Sequence, residues 1–298
     1  MSHLLITPEN TKILICCHKP SILPTDDLFL PLQVGKAISH YDLHIQGDDT
    51  CRGVPCNNIS NKNDSYCELT GLYWAWKNIK TLYPNLKYLG LCHYRRYFSF
   101  SRIGLFSDSV DLPVSEIENY KIDRIRLSND LQKDATIVAK QRVYPYPPCI
   151  DYSFWHIGDD YRSLVKTIRD LYPEYLSTTF SIMERGNRMS PYNMFIMPFQ
   201  VVDAYCTWMF DVLRNVEPLI PYMHYNAEQK RVFGYLSEWL LNIWLIHNNI
   251  HCVYYPVIRF TEEKTQKNTA FYRGCKLIHY NLTSRMLYPK HVPKEYRK

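Results

Sequence analysis

Tyr88-Leu89-Gly90-Leu91-Cys92-His93-Tyr94-Arg95-Arg96-Tyr97-Phe98 is the stretch that decides the fold of this 298-residue chain. Its apolar first half, residues 87–92, reads as a buried strand, and the strand stops abruptly in a cationic, aromatic cluster. Open α/β sheets build their binding crevices at the carboxyl ends of strands. The pattern therefore delivers His93, Arg95 and Arg96 to the place where a ligand would sit. Two adjacent guanidinium groups there favour an anion, most simply a phosphate. Upstream, Asn58-Ile59-Ser60 reads as a polar loop, and residues 66–78 as a helix rich in aromatics.

Working outward, residues 12–17 form a continuous apolar run closed by His18-Lys19-Pro20, the pattern of a buried parallel strand. Residues 135–140 repeat it and end in Lys140 and Arg142. Shorter strands are expected at 42–46, 193–197 and 252–258, with Gly47-Asp48-Asp49-Thr50 as a loop after the first. Helices are expected over 64–80, 161–171, 199–216 and 227–248. The first would start at Asp64 or Ser65, with Glu68 near a capping-box position. Residues 101–130 read as a polar excursion, 144–148 as irregular because of their prolines, and the basic, aromatic tail from 280 as having no element. Strands alternating with helices predict an α/β fold with a mostly parallel sheet. A single domain over 1–298 is expected, with halves at about 1–142 and 143–280 and a basic tail at 281–298.

Composition narrows the function classes. Charged residues make up 21% and apolar residues 46%, which is ordinary for a folded chain and not for a disordered one. A net charge of +6 is too weak to argue nucleic acid, and no nucleic-acid partner is expected. The N-terminus lacks the pattern of a signal peptide, and no run of about 18 apolar residues occurs. The ten cysteines are therefore expected as reduced cytoplasmic thiols. Gly-x-Gly-x-x-Gly, P-loop, His-Glu-x-x-His and Gly-x-Ser-x-Gly patterns are all absent, which argues against dinucleotide enzymes, NTPases, zinc proteases and serine hydrolases.

What remains is convergence at one sheet edge. His18 and Lys19, Asp48 and Asp49, His93 with Arg95 and Arg96, and Lys140 with Arg142 all sit at strand ends. Several cations beside an acidic pair suit a nucleoside diphosphate, whose departing charge the cations would offset. Ordinary ion pairing of the arginines is the competing reading. Asp48-Asp49 either holds a divalent ion or serves a turn. Glu238 lies in an otherwise apolar helix and must find a partner, shift its pKa or work as a base. Trp74 and Trp76 cannot share one helix face, so at least one belongs to the core.

In ordered blocks along almost the full length, the chain resembles a bacterial family of capsular and exopolysaccharide biosynthesis proteins. That family was formerly a domain of unknown function and includes galactofuranosyltransferases. The blocks are His18-Lys19-Pro20, residues 32–37, residues 46–50, Asn58-Ile59-Ser60, residues 66–78, 90–98 and 193–197, Arg231, and residues 234–244. The resemblance implies a Rossmann-like, GT-A-type domain that binds a nucleotide sugar. It would transfer that sugar, with inversion, to a lipid-linked capsular, exopolysaccharide or lipopolysaccharide glycan. Uridine diphosphate galactofuranose is the donor the resemblance implies, and heptose donors are the alternative within the family.

A GT-A enzyme usually ends a strand in Asp-x-Asp, whereas the comparable strand here ends in His93-Tyr94-Arg95-Arg96. Guanidinium groups are therefore expected to replace the metal. No cofactor is required by this reading, and Mg2+ or Mn2+ on Asp48 and Asp49 stays open. Glu238 is nominated as base, with Asp49 as runner-up. Donor contacts are expected from His18, Lys19, Asp48, Asn58, His93, Tyr94, Arg95, Arg96, Lys140 and Asn193. Acceptor contacts are expected from Trp74, Trp155, His156 and Arg231. A non-catalytic carbohydrate-binding protein is the second functional class. A cytoplasmic location, peripheral at the inner face of the membrane, follows if the basic tail meets anionic lipid.

Overall fold

The computed structural model describes residues 6–262 and 270–291, with side chains to 286. Through the first half the elements are β1 (Thr11–Cys17), β2 (Phe29–Gln33), β3 (Gln46–Gly47), β4 (Thr50–Cys51), β5 (Val54–Pro55), α1 (Asn63–Tyr66), α2 (Leu69–Leu82), β6 (Tyr88–His93), β7 (Arg96–Phe98), β8 (Ser109–Pro113), α3 (Arg124–Leu131), β9 (Thr136–Ala139) and β10 (Arg142–Val143). There follow α4 (Pro148–Trp155), α5 (Gly158–Leu171), α6 (Leu176–Met183), β11 (Arg188–Met189), β12 (Phe195–Pro198), α7 (Phe199–Val216), α8 (Val232–His247), β13 (Cys252–Tyr255), β14 (Val257–Thr261) and α9 (Ala270–His291).

The central sheet runs β13-β9-β12-β6-β1-β2-β3. Every neighbouring pair on this path is parallel except the two made by β12, which is antiparallel to both β6 and β9. This is the expected α/β fold with a mostly parallel sheet. Phe195 registers with Leu91 and with Val138, so the chain just before β12 emerges at the edge where β6 and β9 end. A reversed strand thus adds its N-terminal residues to a row of carboxyl ends. Beyond β6, the chain turns into β7, which pairs with β14, and β14 pairs with β8.

All seven residues of β1 are buried because both faces are covered. Leu14 and Cys16 join a core beneath α2, α5, α7 and α8, while Ile13, Ile15 and Cys17 face a second core with Tyr97, Tyr120 and Leu127. This is the period-two alternation of a pleated strand. Trp74 is fully buried, and its indole N–H donates to the Thr50 carbonyl at 2.8 Å. It is a core residue, and the expected acceptor role for it is corrected.

Several boundaries differ from expectation for local reasons. The expected helix over 64–80 is two helices, because Cys67 adopts φ 51° and its carbonyl accepts from Asn63 Nδ2 at 2.7 Å. Glu68 then sits at the N-cap of α2 without a side-chain capping bond. The strand expected at 42–46 reduces to Gln46–Gly47. Residues 101–130 contribute β8 and α3. The late strand divides at Pro256 into β13 and β14. The tail from 280 continues a helix, α9, whereas Lys294, Tyr296, Arg297 and Lys298 lie outside the described residues.

α2 approaches β2 closely at Gly71, where a Cβ would lie 2.8 Å from Val34 Cγ1 and 3.0 Å from Leu32 Cδ2. Gly71→Ala is expected to destabilise the fold by about 1–3 kcal/mol, because a packed core does not admit an extra methyl without strain. Urea unfolding measures this, and an unchanged midpoint would refute the contact.

Candidate functional site

The site is organised by Tyr192 and Asn193, which are separated from β12 by Met194 alone. Both adopt left-handed backbone, φ 77° and 53°. For a tyrosine this conformation costs on the order of 1–3 kcal/mol and persists only when its surroundings hold it. They do so on every side. The Tyr192 N–H donates to Glu238 Oε2 at 2.9 Å, and its carbonyl lies 2.6 Å from His93 Nε2. Its hydroxyl accepts from Arg142 at 2.6 Å. The Arg96 guanidinium lies 4.5 Å from the centre of its ring and that of Arg142 5.3 Å. Asn193 donates its amide to Glu68 Oε1 at 2.9 Å and to Ser237 Oγ at 2.6 Å, and its buried Oδ1 has no protein partner among the described residues.

These contacts set protonation states. Burial pushes His93 down, outweighing the nearby Glu68 charge, and Arg96 adds to the depression. A neutral imidazole donating from Nε2 to the Tyr192 carbonyl follows. Burial raises Glu238 to about 7, with a further push from Glu68, against the Tyr192 N–H, Arg96 and Arg142, which favour the anion. Glu238 is thus a carboxylate poised between its two forms near neutral pH.

One side of Glu238 opens on a cavity of about 240 Å³ lined by Tyr144, Tyr152, Trp155, His156, Tyr235 and Asp151, among others. His156 lies between the rings of Tyr152 and Tyr235, at centroid distances of 4.6 and 4.1 Å. Trp155 is 71% exposed at the rim. Burial raises Asp151, with Arg142 opposing. Aromatic faces with a few hydrogen-bonding groups are the usual lining of a site for a small polar ring compound.

A second cluster of basic side chains lies at the end of β1. His18 packs edge-on against Tyr94 at 5.2 Å, and Lys19 lies 5.8 Å from the same ring. Burial, then Lys19 and Arg231, depress His18. Arg231 reaches Cys67 Sγ at 3.4 Å and lies over Tyr235, which ties this group to the cavity wall.

Other expected residues are placed elsewhere. Arg95 turns to Glu262, 2.6 Å away, so the two adjacent arginines diverge. Arg95 lies in the two-residue turn between β6 and β7, whereas Arg96 is the first residue of β7, so the two side chains leave the backbone in different local conformations. Lys140 is exposed beyond β9. Asn58 uses its amide on the Asp49 and Cys56 carbonyls and accepts from the Ser60 N–H, so it shapes its own loop. Asp48 is fully buried and accepts from the backbone N–H groups of Gly35 and Lys36 at 2.9 and 3.1 Å and from the Ser60 hydroxyl. These three bonds engage both oxygens of a fully buried carboxylate, and Asp48 is corrected to a structural anchor. Asp49 has no contact with the Glu238 cluster among the described residues.

Sequence reasoning missed Glu68, Tyr192, Ser237, Tyr144 and Asp151. Glu68 looked like a capping residue, and only Pro191 beside Tyr192-Asn193 signalled a turn.

The raised Glu238 pKa has a consequence for stability. The unfolded carboxyl releases its proton near 4.5 and the folded one near 7, so stability falls as pH rises between these values. Glu238→Gln removes this loss. Its stability relative to wild type is expected to grow by about 1–3 kcal/mol from pH 5 to pH 8 in urea melts. A constant difference would contradict the assignment.

Among solved structures, the chain resembles one described as a WbbM bifunctional glycosyltransferase in its apo form, with TM-score 0.72 and 28% identity. That likeness covers 85% of this chain and 45% of the other, so the chain spans less than half of that protein's length. No curated protein matches. The family described as "Domain of unknown function (DUF4422)" matches residues 12–249, most of the chain. The chain therefore belongs to the DUF4422 family.

Proposed function

We propose that this protein is a glycosyltransferase that moves a sugar, with inversion, from a nucleoside-diphosphate donor to a hydroxyl of a glycan acceptor. The observation that carries this reading is Glu238, raised to about 7, standing between an aromatic cavity and guanidinium groups. The likeness to a glycosyltransferase over 85% of the chain supports the same class.

In this reading the acceptor hydroxyl enters from the cavity beside Trp155 and His156. As its oxygen bonds to the anomeric carbon, its proton passes to Glu238 and the bond from that carbon to the phosphate oxygen breaks. The electron pair leaves with the diphosphate. Arg231, Lys19 and Arg96 offset the departing charge in the low-dielectric crevice. His93 and Glu68 act through Tyr192 and Asn193, holding Glu238 in place. A base with a pKa near the working pH combines availability with driving force. A uridine diphosphate galactofuranose donor and a lipid-linked acceptor at the inner membrane face are the finer form of the proposal, with heptose as the alternative sugar. A non-catalytic carbohydrate binder would gain nothing from a carboxylate held at a neutral pKa.

Release of uridine diphosphate from a panel of nucleotide sugars, with glycan acceptors present, tests the proposal. Turnover is expected to rise with pH to a plateau above about 7, and Glu238→Gln to lower kcat by about 10²–10⁴ while nucleotide affinity stays constant. Arg231→Ala is expected to weaken nucleotide binding about tenfold and Arg95→Ala to leave it unchanged. Full turnover in Glu238→Gln, or no release from any donor, would overturn the reading.

A further inference from the structure

α9 presents its two faces the wrong way round for a helix on a soluble surface. Phe271, Cys275, Ile278, Leu282 and Met286 recur at spacings of three and four and form one stripe. That stripe points to solvent: Phe271 is 82% exposed, Ile278 64%, Leu282 57% and Met286 73%. The opposite face lies on the protein. Ser284 is buried, Asn281 Oδ1 accepts from Asn187 at 3.2 Å, and Arg273 donates to the Leu105 carbonyl at 3.1 Å. A helix packed through polar residues and exposing apolar ones has its apolar partner outside the chain.

The charge pattern selects the partner. Residues 264–294 contain no Asp or Glu and seven Lys or Arg. Lys276 and Arg285 are exposed at either margin of the apolar stripe. A second copy of the same face would bring cations against cations. An anionic bilayer would accept both features at once, the stripe sinking to the acyl boundary and the cations meeting phosphate headgroups. The helix is not long and apolar enough to cross a membrane, so it would lie along the surface.

We infer that α9 is an interfacial helix that binds anionic phospholipid through the stripe from Phe271 to Met286. The inference does not depend on the transfer reaction, yet the placement suits it. Asn187 donates both to Asn281 on α9 and to the carbonyl of Tyr144, a residue of the aromatic cavity. A chain seated on lipid through α9 would hold that cavity close to the membrane plane.

Flotation of the full chain with vesicles of phosphatidylglycerol and phosphatidylcholine, or of phosphatidylcholine alone, tests this. Binding is expected only with the anionic vesicles and should fall as salt rises. Ile278→Glu with Leu282→Glu should reduce it at least about tenfold with an unchanged near-ultraviolet circular dichroism spectrum. Lys276→Glu with Arg285→Glu should weaken it most at low salt. Failure of wild type to float, or undiminished flotation of Ile278→Glu/Leu282→Glu, would overturn the inference. So would a wild-type dimer that the same pair of substitutions converts to monomer, since a second copy would then cover the stripe. Because flotation reads binding, a failed transfer assay leaves these outcomes unaffected.

Discussion

A left-handed tyrosine is an unfavourable thing to place at the edge of a sheet, and the site is built around holding one. Tyr192 keeps φ 77° because a carboxylate takes its N–H, an imidazole meets its carbonyl, and Arg142 donates to its hydroxyl. Hydrogen bonds to charged groups contribute on the order of 1.5–3 kcal/mol each, enough to offset the backbone cost. The same contacts fix Glu238 and His93, so strain and function are located in one peptide unit. Asn193 extends the arrangement by tying Glu68 to Ser237 across the start of β12.

This depends on one feature of the topology. Had β12 run parallel to β6, its first residues would lie at the opposite edge, away from His93. Reversing one strand brings Tyr192 and Asn193 to the carboxyl ends of β1, β6 and β9. α8 then passes over this edge with Glu238 aimed at it, while Arg231 at its N-terminus turns toward Cys67. Nearly the whole of α8 is otherwise buried, which is why its one carboxylate is strongly desolvated.

The sheet was legible in the sequence because fully buried strands are unbroken apolar runs, as residues 13–17 and 88–92 are. Glu238 was legible for the related reason that a carboxylate in an apolar helix stands out. Left-handed backbone at Cys67 and Tyr192 has no such signature, since neither residue favours it and only tertiary contacts impose it. Hence one expected helix became two, and the tyrosine at the centre of the site went unnoticed. Asp48 misled in a different way. A carboxylate that caps buried backbone N–H groups looks in sequence like one that could hold a metal. Arg95 and Arg96 were read as one unit, but Arg95 lies in the turn before β7 and pairs with Glu262, and of the two only Arg96 faces Tyr192.

The most direct test of this account is the titration of Glu238 itself. Carbon-13 NMR of the protein labelled at glutamate side-chain carboxyls, compared with Glu238→Gln, isolates that single resonance. The account predicts a midpoint of about 7, missing from the variant spectrum. A Glu238 midpoint at the ordinary glutamate value, near 4.5, would mean the carboxylate is solvated and not poised, and would contradict it.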